Sequence, residues 1–383
     1  RSLGVFILLG EKNPKYAFAL LNECFVDKEM VLVSASLLSG LRRGKSEGLD
    51  QFYGKIGTIT HGEQLLAESF RFLQGIGLND ADKSVLTRLC NSENEKVRQA
   101  GLDAIWKLSI SNSTRTSLDV LAGIKIKNID AAGAILSALF YSVYKKDVSK
   151  EIVERIKPIL LELNKFETYE FNSYHIESLL KIISVHDPYW QIDFVESYLD
   201  RKRQLYQHSS FDIKFSFPNA RSFSGGMERL FGWYSKGDIY RMELRRFVKE
   251  VSETVTPELA SVMDKWISTR DLVKLQTIAF ILGAFKDNDD FYTFIPKILN
   301  NSNHLDRKQR DEIRGQIASS LHTGAISRTV GEPSQDLIRK RDGLRKLIPN
   351  LHDMPDRRFI EDIAKDFDDE IQNDLKEDKQ FGF

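Results

Sequence analysis

The sequence has little of what most β folds and secreted proteins need. Its 383 residues include only 23 glycines and 9 prolines, so few tight turns are encoded, which argues against a β-sandwich. The only cysteines, Cys24 and Cys90, each lie in an apolar helical pattern. We expect both to be buried free thiols in a reducing, cytoplasmic protein rather than a disulfide.

Net charge is also absent, because 55 lysines and arginines balance 55 aspartates and glutamates. This balance gives no long-range attraction to nucleic acid or to an acidic membrane. The apolar run Leu3–Leu9 is shorter than the ~20 residues of a membrane-spanning helix and has no cleavage site, so neither a membrane segment nor a signal peptide is expected. Since this apolar run follows Arg1 without a starting Met, we expect the C-terminal part of a longer polypeptide.

What the sequence does contain is helical periodicity. Apolar residues recur at the spacing of one helix face in several segments, with polar residues between them. The clearest sets are Val97, Ala100, Ala104, Ile105 and Leu108; Ile152, Ile156, Ile159, Leu160 and Leu163; Ile176, Leu179, Leu180 and Ile183; and Leu272, Leu275, Ala279 and Leu282. This pattern predicts an all-α protein built from many short amphipathic helices.

Two segments resemble each other and a known repeat. Lys96–Ile105 aligns with Glu312–Leu321, and in each a β-branched residue and an arginine open an apolar face. The stretch Val85–Leu108 resembles a HEAT repeat, in which a short polar turn joins two helices, and Val97 and Arg98 open the second. The resemblance implies an irregular HEAT-like α-solenoid of antiparallel helix pairs.

The HEAT resemblance is close only around Arg98. A further degenerate copy, His352–Ile360, would place Pro355 in the turn and Arg358 in the arginine position. The family carries an aspartate six residues before this arginine, which links neighbouring repeats in an Asp–Arg ladder. The corresponding positions here are Ser92, Lys308 and His352. A regular ladder is therefore not expected.

Two segments depart from the repeat pattern. Phe211, Ile213, Phe215 and Phe217 alternate with polar residues, which predicts an extended strand inside a non-helical insertion. We therefore divide the chain into a helical half at 1–203, an insertion at 204–238 and a second helical half at 239–383. Near the end, one apolar stripe is flanked by many carboxylates, as expected of a C-terminal capping helix. The stripe consists of Phe359, Ile360, Ile363, Phe367, Ile371 and Leu375.

No motif indicates catalysis. Gly40–Ser46 resembles a phosphate-binding loop, but it has three residues between its glycines rather than four and follows a helical segment rather than a strand. We interpret it as the glycine-terminated end of a helix with basic residues in its last turn. The seven histidines have no metal-ligand spacing, and there is no Gly-x-Ser-x-Gly elbow. We expect no catalytic residues, metal or cofactor.

One basic and aromatic cluster is a candidate for partner binding, since Trp, Tyr and Arg dominate protein interfaces. It comprises Trp233, Tyr234, Tyr240, Arg241, Arg245 and Arg246. The alternative is a solvated helix face with aromatic residues packed beneath it.

The function favoured by these observations is a non-catalytic solenoid that captures a protein partner on its concave surface together with the insertion. Ser327–Ser334, Leu337–Leu347 and the segment from Pro355 onward resemble the ends of large bacterial defence proteins. That resemblance implies a sensor or scaffold part whose effector or NTPase domain lies elsewhere, with an invader protein or other subunits as the partner. A nucleic-acid-binding solenoid is the alternative, which the zero net charge disfavours.

Overall fold

The structure is a computed structural model that describes residues 3–70, 77–111, 114–166, 169–205, 213–285, 290–322 and 333–380. In these ranges it forms twenty α-helices and a few 3-10 turns, and no strand. The predicted all-α class is therefore confirmed. The chain divides into two compact units, Arg1–Asp187 with Phe194–Ile213, and Pro188–Asp193 with Lys214–Phe383.

The first unit holds the helices α1 to α11, and α12 contributes residues to both units. They are α1 (Leu3–Lys12), α2 (Pro14–Cys24), α3 (Val31–Arg43), α4 (Leu49–Ile56), α5 (Gly62–Phe70), α6 (Asp80–Cys90), α7 (Glu95–Ser111), α8 (Thr114–Leu121), α9 (Ile129–Val143), α10 (Lys150–Leu163), α11 (Tyr169–His186) and α12 (Trp190–Leu205).

Within the first unit, helices pack in two rows. The odd-numbered helices pack in succession, α1 on α3, α3 on α5, α5 on α7, α7 on α9 and α9 on α11. In the other row α6 packs on α8 and α8 on α10, and the rings of Phe18 and Phe52 join α2 to α4. Each helix therefore has to present apolar surface to row neighbours as well as to the facing row.

The second unit repeats this scheme with the remaining helices, which pack as α13 on α15, α15 on α17 and α17 on α19, and as α14 on α16 and α16 on α18. They are α13 (Ala220–Phe231), α14 (Asp238–Val251), α15 (Pro257–Ser268), α16 (Leu272–Ile281), α17 (Asp290–Asn301), α18 (Arg307–His322), α19 (Gln335–Leu347) and α20 (Met354–Gln380).

Short polar residues set where many of these helices begin. Asn79 and Asp82 form a capping box at α6, and Asn219 and Ser222 form another at α13. Thr256 accepts a hydrogen bond from a backbone N–H of α15 just before Pro257. Such caps satisfy N–H groups that have no partner within the helix, so the turns between helices can be short.

The predicted apolar stripes form the core. All five residues of the Val97–Leu108 set are buried, as are the four of the Ile176–Ile183 set. Cys24 and Cys90 are buried free thiols, as predicted, and burial raises the pKa of the Cys90 thiol. The helix–turn–helix arrangement expected for Val85–Leu108 is also confirmed, because α6 and α7 are separated by a four-residue turn, Asn91–Asn94.

The other two HEAT-like alignments are displaced. Arg314 is expected to open a helix, but α18 begins seven residues earlier at Arg307. Pro355, expected in a turn, is the second residue of α20. Arg314 nevertheless joins two helices, since its guanidinium on α18 donates to Asp356 on α20, which is fully buried, at 2.7 Å.

Ionic links between row neighbours recur at a nearly constant sequence separation. Asp119 on α8 accepts hydrogen bonds from Lys83 on α6 and from Arg155 on α10, each 36 residues away. In the second unit the separations are 37 and 33 residues, for Lys265 with Glu228 and Lys297 with Asp264. This spacing is the length of one helix pair.

The strand predicted at 211–217 is not formed in the described residues 213–217, which are neither helix nor strand; Phe211 lies outside the described ranges. Ile213 and Phe215 are buried. Instead of a second strand, the side chain of Gln191 hydrogen-bonds the N–H and C=O of Ser216, at 3.0 and 2.8 Å. The alternation of apolar and polar residues therefore reflects the burial of one side of an irregular segment, not a strand.

The C-terminal helix packs as predicted. Phe367 and Ile371 are both buried, and the Phe367 ring lies 5.0 Å from the ring of His322 on α18 and 5.9 Å from the ammonium group of Lys340 on α19. Exposed carboxylates cover its outer side, at Glu361, Asp362, Asp366 and Asp369.

Replacing Phe367 with Ala should lower the free energy of unfolding by about 3–5 kcal/mol, because a buried ring leaves a cavity between α18, α19 and α20. Chemical denaturation measures this loss. The control Gln372→Ala changes an exposed residue of the same helix and should leave stability unchanged. Equal stabilities for both variants would mean that α20 does not dock on this unit.

Asp119 gives a pH-dependent test of the inter-helix links. Partial burial opposes its ionisation, but hydrogen bonds from Arg155 and Lys83 outweigh burial and lower the pKa of Asp119. A lowered pKa stabilises the fold above the ordinary value of ~3.9, and this stabilisation is lost as pH falls through the folded-state value. Asp119→Asn should therefore cost about 1 kcal/mol near neutral pH, and the difference from the parent chain should vanish in acid. The exposed Asp103→Asn is the control, and a pH-independent loss for Asp119→Asn would contradict the link.

Candidate interaction surface

The aromatic members of the predicted partner-binding cluster lie inside the second unit. Trp233, in the 3-10 turn after α13, has 0% of its surface exposed, and Tyr234 and Tyr240 are also buried. The Trp233 ring packs edge-on against the rings of Tyr240 and Phe247, each at 5.5 Å. Because Trp233 is fully buried, it is not accessible to a partner in this structure. Its ring packs α14 against the turn that precedes that helix.

The arginines of that cluster hold the same region together. Arg245 donates from Nε to the carbonyl oxygen of Phe280 at 2.7 Å and stacks on the Phe280 ring at 3.9 Å. Burial lowers the pKa of Arg245. Arg246 is paired with Glu243 and Glu250 on its own helix. These contacts make Arg245 and Arg246 structural residues.

Arg241 is the member of the cluster that reaches solvent most clearly. Its Nε donates to the carbonyl oxygen of Tyr234 at 2.7 Å, and its guanidinium lies 4.9 Å from the centre of the Tyr234 ring. Its neighbour Met242, which the sequence does not single out, is exposed. At this cluster, a partner would therefore contact Arg241 and Met242, whereas the aromatic rings are buried.

A second aromatic group, which sequence reasoning missed, is exposed. It joins three successive helices of the odd-numbered row in the first unit, α7, α9 and α11. We call it the aromatic surface and define it as Trp106, Tyr141, Tyr144, Tyr174 and His175, with Phe140 beneath. Trp106 is 42% exposed, Tyr144 37% and Tyr174 61%.

The rings of the aromatic surface are in mutual contact. Phe140, which is buried, stacks on His175 with centroids 4.3 Å apart and lies 4.7 Å from Tyr144 and 5.7 Å from Tyr174. Trp106 meets Tyr141 nearly perpendicularly, at 6.2 Å and 89°. Since each ring is held by another, little side-chain freedom remains to be lost when a partner binds.

One apolar and one basic side chain border this surface. Ile110, one turn after Trp106 on α7, is exposed. The Lys145 ammonium lies 5.1 Å from the centre of the Tyr144 ring. Burial lowers the pKa of His175, so this imidazole is neutral at physiological pH. Among the described residues, its Nδ1 has no hydrogen-bond partner.

A sequence signal for this surface does exist. Trp106 and Ile110 are four residues apart, on the side of α7 away from its buried stripe. Tyr141, in the last turn of α9, and Tyr144, directly after α9, also lie outside the buried stripe of their helix. An aromatic residue outside the apolar stripe of a helix is the recognisable feature. Its recurrence on three helices that are row neighbours emerges only from the fold.

The segment that resembles a phosphate-binding loop is the end of a helix, as predicted: α3 runs to Arg43 and Gly44 is its C-cap. Its first glycine serves packing, because a Cβ on Gly40 would overlap the carbonyl oxygen of Ile7 on α1. Carbonyl groups rather than N–H groups emerge at a helix C-terminus, which is unfavourable for a phosphate.

Arg42, within that segment, belongs to a buried polar network. Its Nε donates to Asp82 at 2.9 Å, its Nη2 donates to the hydroxyl of Tyr53 at 2.8 Å, and its guanidinium lies 3.9 Å from the centre of the Phe70 ring. Tyr53 in turn donates to Asp82. Burial raises the pKa of Tyr53, which keeps its hydroxyl protonated as a donor. The network ties α3, α4 and α6 together.

No known family model matches the chain, and a search of curated proteins finds no significant relative. Within the described ranges, no three His, Cys, Asp or Glu side chains are grouped so that they could hold a metal ion. None of the helices described has the length and apolar character needed to cross a membrane.

Two variants separate the structural and nucleotide-binding interpretations of the Gly40–Ser46 segment. Arg42→Ala should cost about 3–5 kcal/mol of stability, because it leaves the Asp82 carboxylate buried without its partner. Lys45→Ala should leave stability unchanged, since Lys45 is exposed. Denaturation curves give both values.

Calorimetric titration with ATP and Mg²⁺ completes the comparison. We expect no binding to the parent chain and none to Lys45→Ala. A clear isotherm for the parent that disappears in Lys45→Ala would restore the phosphate-loop interpretation.

Proposed function

We propose that the chain is a non-catalytic interaction module, a HEAT-like solenoid that captures a protein partner through the aromatic surface of α7, α9 and α11. The observation that carries this proposal is a set of preorganised, exposed aromatic rings shared by three successive helices. Isolated exposed apolar residues are ordinary on a protein surface, but a contiguous group of them marks an interaction site.

Two features support the solenoid part of the proposal. In each unit, alternate helices pack in rows, so that each pair contacts mainly the pairs before and after it. The ionic links at separations of 33 to 37 residues recur with the length of such a pair. Both features are typical of repeat architectures, whose rows of helices offer extended binding faces.

A protein partner fits the chemistry of the aromatic surface. Trp106, Tyr144 and Tyr174 are of the residue types that most often dominate protein interfaces, and they are rigid enough to bind at a small entropic cost. Lys145 adds positive charge beside the Tyr144 ring. The complementary partner would insert apolar side chains between the rings and place a carboxylate at this lysine.

Nucleic acid is the second candidate partner, and Lys145 beside the Tyr144 ring is the observation that favours it. Unpaired bases stack on aromatic rings while lysines contact phosphates. The zero net charge of the chain weighs against this alternative, since nucleic-acid-binding domains are usually basic.

The broader role that we propose is sensing or scaffolding, with a protein from an invader or from the same assembly as the partner. This role rests on the resemblance of the C-terminal segments to bacterial defence proteins. Of those segments, 333–380 lie within the described residues, where they form α19 and α20. Of the insertion predicted at 204–238, residues 206–212 lie outside the described ranges, and Ala220–Phe231 form α13 rather than a non-helical segment.

The test is partner capture from lysate by three versions of the chain. The triple variant Trp106→Ala, Tyr144→Ala, Tyr174→Ala should lose the captured protein while keeping its helical circular dichroism, because all three side chains are substantially exposed. The double variant Arg241→Ala, Met242→Ala removes the accessible side chains of the cluster predicted from the sequence. It should still capture the partner protein.

The opposite pattern, with capture lost only in the double variant, would move the site to α14. A nuclease-treated sample decides the class of partner. Captured protein should survive nuclease, whereas material that disappears, and whose binding weakens steeply with added salt, would establish the nucleic-acid alternative.

A further inference from the structure

A groove of about 760 Å³ runs between α17 and α19 in the second unit. Its apolar lining consists of Tyr292 and Pro296 on α17 and Leu347 on α19. These three residues are otherwise buried in the unit, so their accessible edges form an apolar floor. The volume falls within the ~300–1,000 Å³ that is usual for ligand sites.

The two walls of the groove are held close together. A Cβ added to Gly343 would lie 2.7 Å from the nearest ring carbon of Tyr292, so this ring packs directly on the backbone of α19. Asn300, near the end of α17, donates a hydrogen bond to the carbonyl oxygen of Asn350 and accepts one from the N–H of His352, each at 3.1 Å. The groove is therefore preorganised, which lowers the entropic cost of binding.

Three cations line this groove, one on α17 and two on α19. Lys297 is paired with Asp264 at 2.7 Å, and Arg339 is paired with Asp336 at 2.8 Å. All four side chains are partly exposed, so water screens both pairs and leaves their cations able to attract a further anion. Lys346 is exposed, and within the described ranges it forms no salt bridge.

The lining carries more positive than negative charge. Against its three cations stands one carboxylate, that of Asp342, and Arg341 already donates a hydrogen bond to it at 2.8 Å. Three positive charges less one negative charge leave two positive charges, so an occupant with two carboxylates complements the groove.

The positions of Arg339 and Lys346 set the spacing of those carboxylates. The two residues are seven positions apart on one side of α19, which is about 10.5 Å along the helix axis. An extended peptide advances about 3.3 Å per residue, so acidic side chains three positions apart match this distance. The two residues between them would lie over Tyr292 and Leu347, where apolar side chains are favourable.

We propose that the groove between α17 and α19 binds an acidic peptide segment of a partner protein, in which two carboxylates flank two apolar side chains. A small phosphate compound would satisfy the cations but leave the apolar floor uncovered, so the lining favours the peptide. The proposal does not rest on the aromatic surface, which belongs to the first unit.

The test uses the capped tetrapeptide Glu-Phe-Leu-Glu as the probe and Gln-Phe-Leu-Gln as its neutral counterpart. Titration of the ¹⁵N-labelled full chain should shift amide signals of α17 and α19. The neutral peptide should bind about tenfold more weakly or worse, because it loses both charge-assisted contacts. Added salt should weaken the acidic peptide more than the neutral one.

Two variants test the two walls. Lys346→Glu and Thr293→Glu each change an exposed residue of the groove, and each should weaken the acidic peptide by about tenfold through like-charge repulsion. Lys249→Glu is the matched control, because it makes the same charge change at an exposed lysine of α14 that does not line the groove. It should bind like the parent chain, and so should the triple aromatic variant.

The absence of any shift with the acidic peptide would overturn the proposal, and so would equal binding of the two peptides. An equal loss of binding in Lys249→Glu and Lys346→Glu would show a general charge effect instead of a groove. Pyrophosphate that shifts the same amide signals when the peptide does not would establish a phosphate site in its place.

Discussion

Burial of an apolar stripe against row neighbours and against the facing row is the constraint on which the rest of this structure depends. A helix of ten to seventeen residues gains little stability by itself in water, so it persists because its neighbours cover it. Val97, Ile105 and Leu108 on α7 show the requirement, since all three are buried between α5, α9 and the facing helices. The stacking of helix pairs follows from the need to cover each stripe in turn.

Charged groups buried in this core have partners on other helices in two places. The Arg42–Asp82–Tyr53 network joins three helices of the first unit, and Asp356 receives two arginines of α18 in the second. A buried charge without such a partner would be strongly destabilising, so these groups restrict which helices can pack together. The partly exposed links around Asp119 contribute less energy but recur at the same helix-pair spacing.

The proposed function rests on an aromatic surface that this packing leaves exposed. The aromatic surface exists because α7, α9 and α11 lie side by side, which adds three local features into one patch.

The all-α class, the buried stripes at Val97–Leu108 and Ile176–Ile183, the helix end at Gly40–Ser46 and the burial of Phe367 could be predicted from the sequence, because these depend on periodicity and capping within a few residues. The sequence could not show that Trp233 is buried and Trp106 exposed, because the exposure of a tryptophan depends on what packs over it in the fold. Only the tertiary structure covers the first completely and leaves the second open. The strand expected at 211–217 shows the same limit. An alternating pattern indicates which side chains are buried, but a strand also needs a neighbouring strand to hydrogen-bond its backbone. Here the side chain of Gln191 forms hydrogen bonds with the backbone of Ser216 instead.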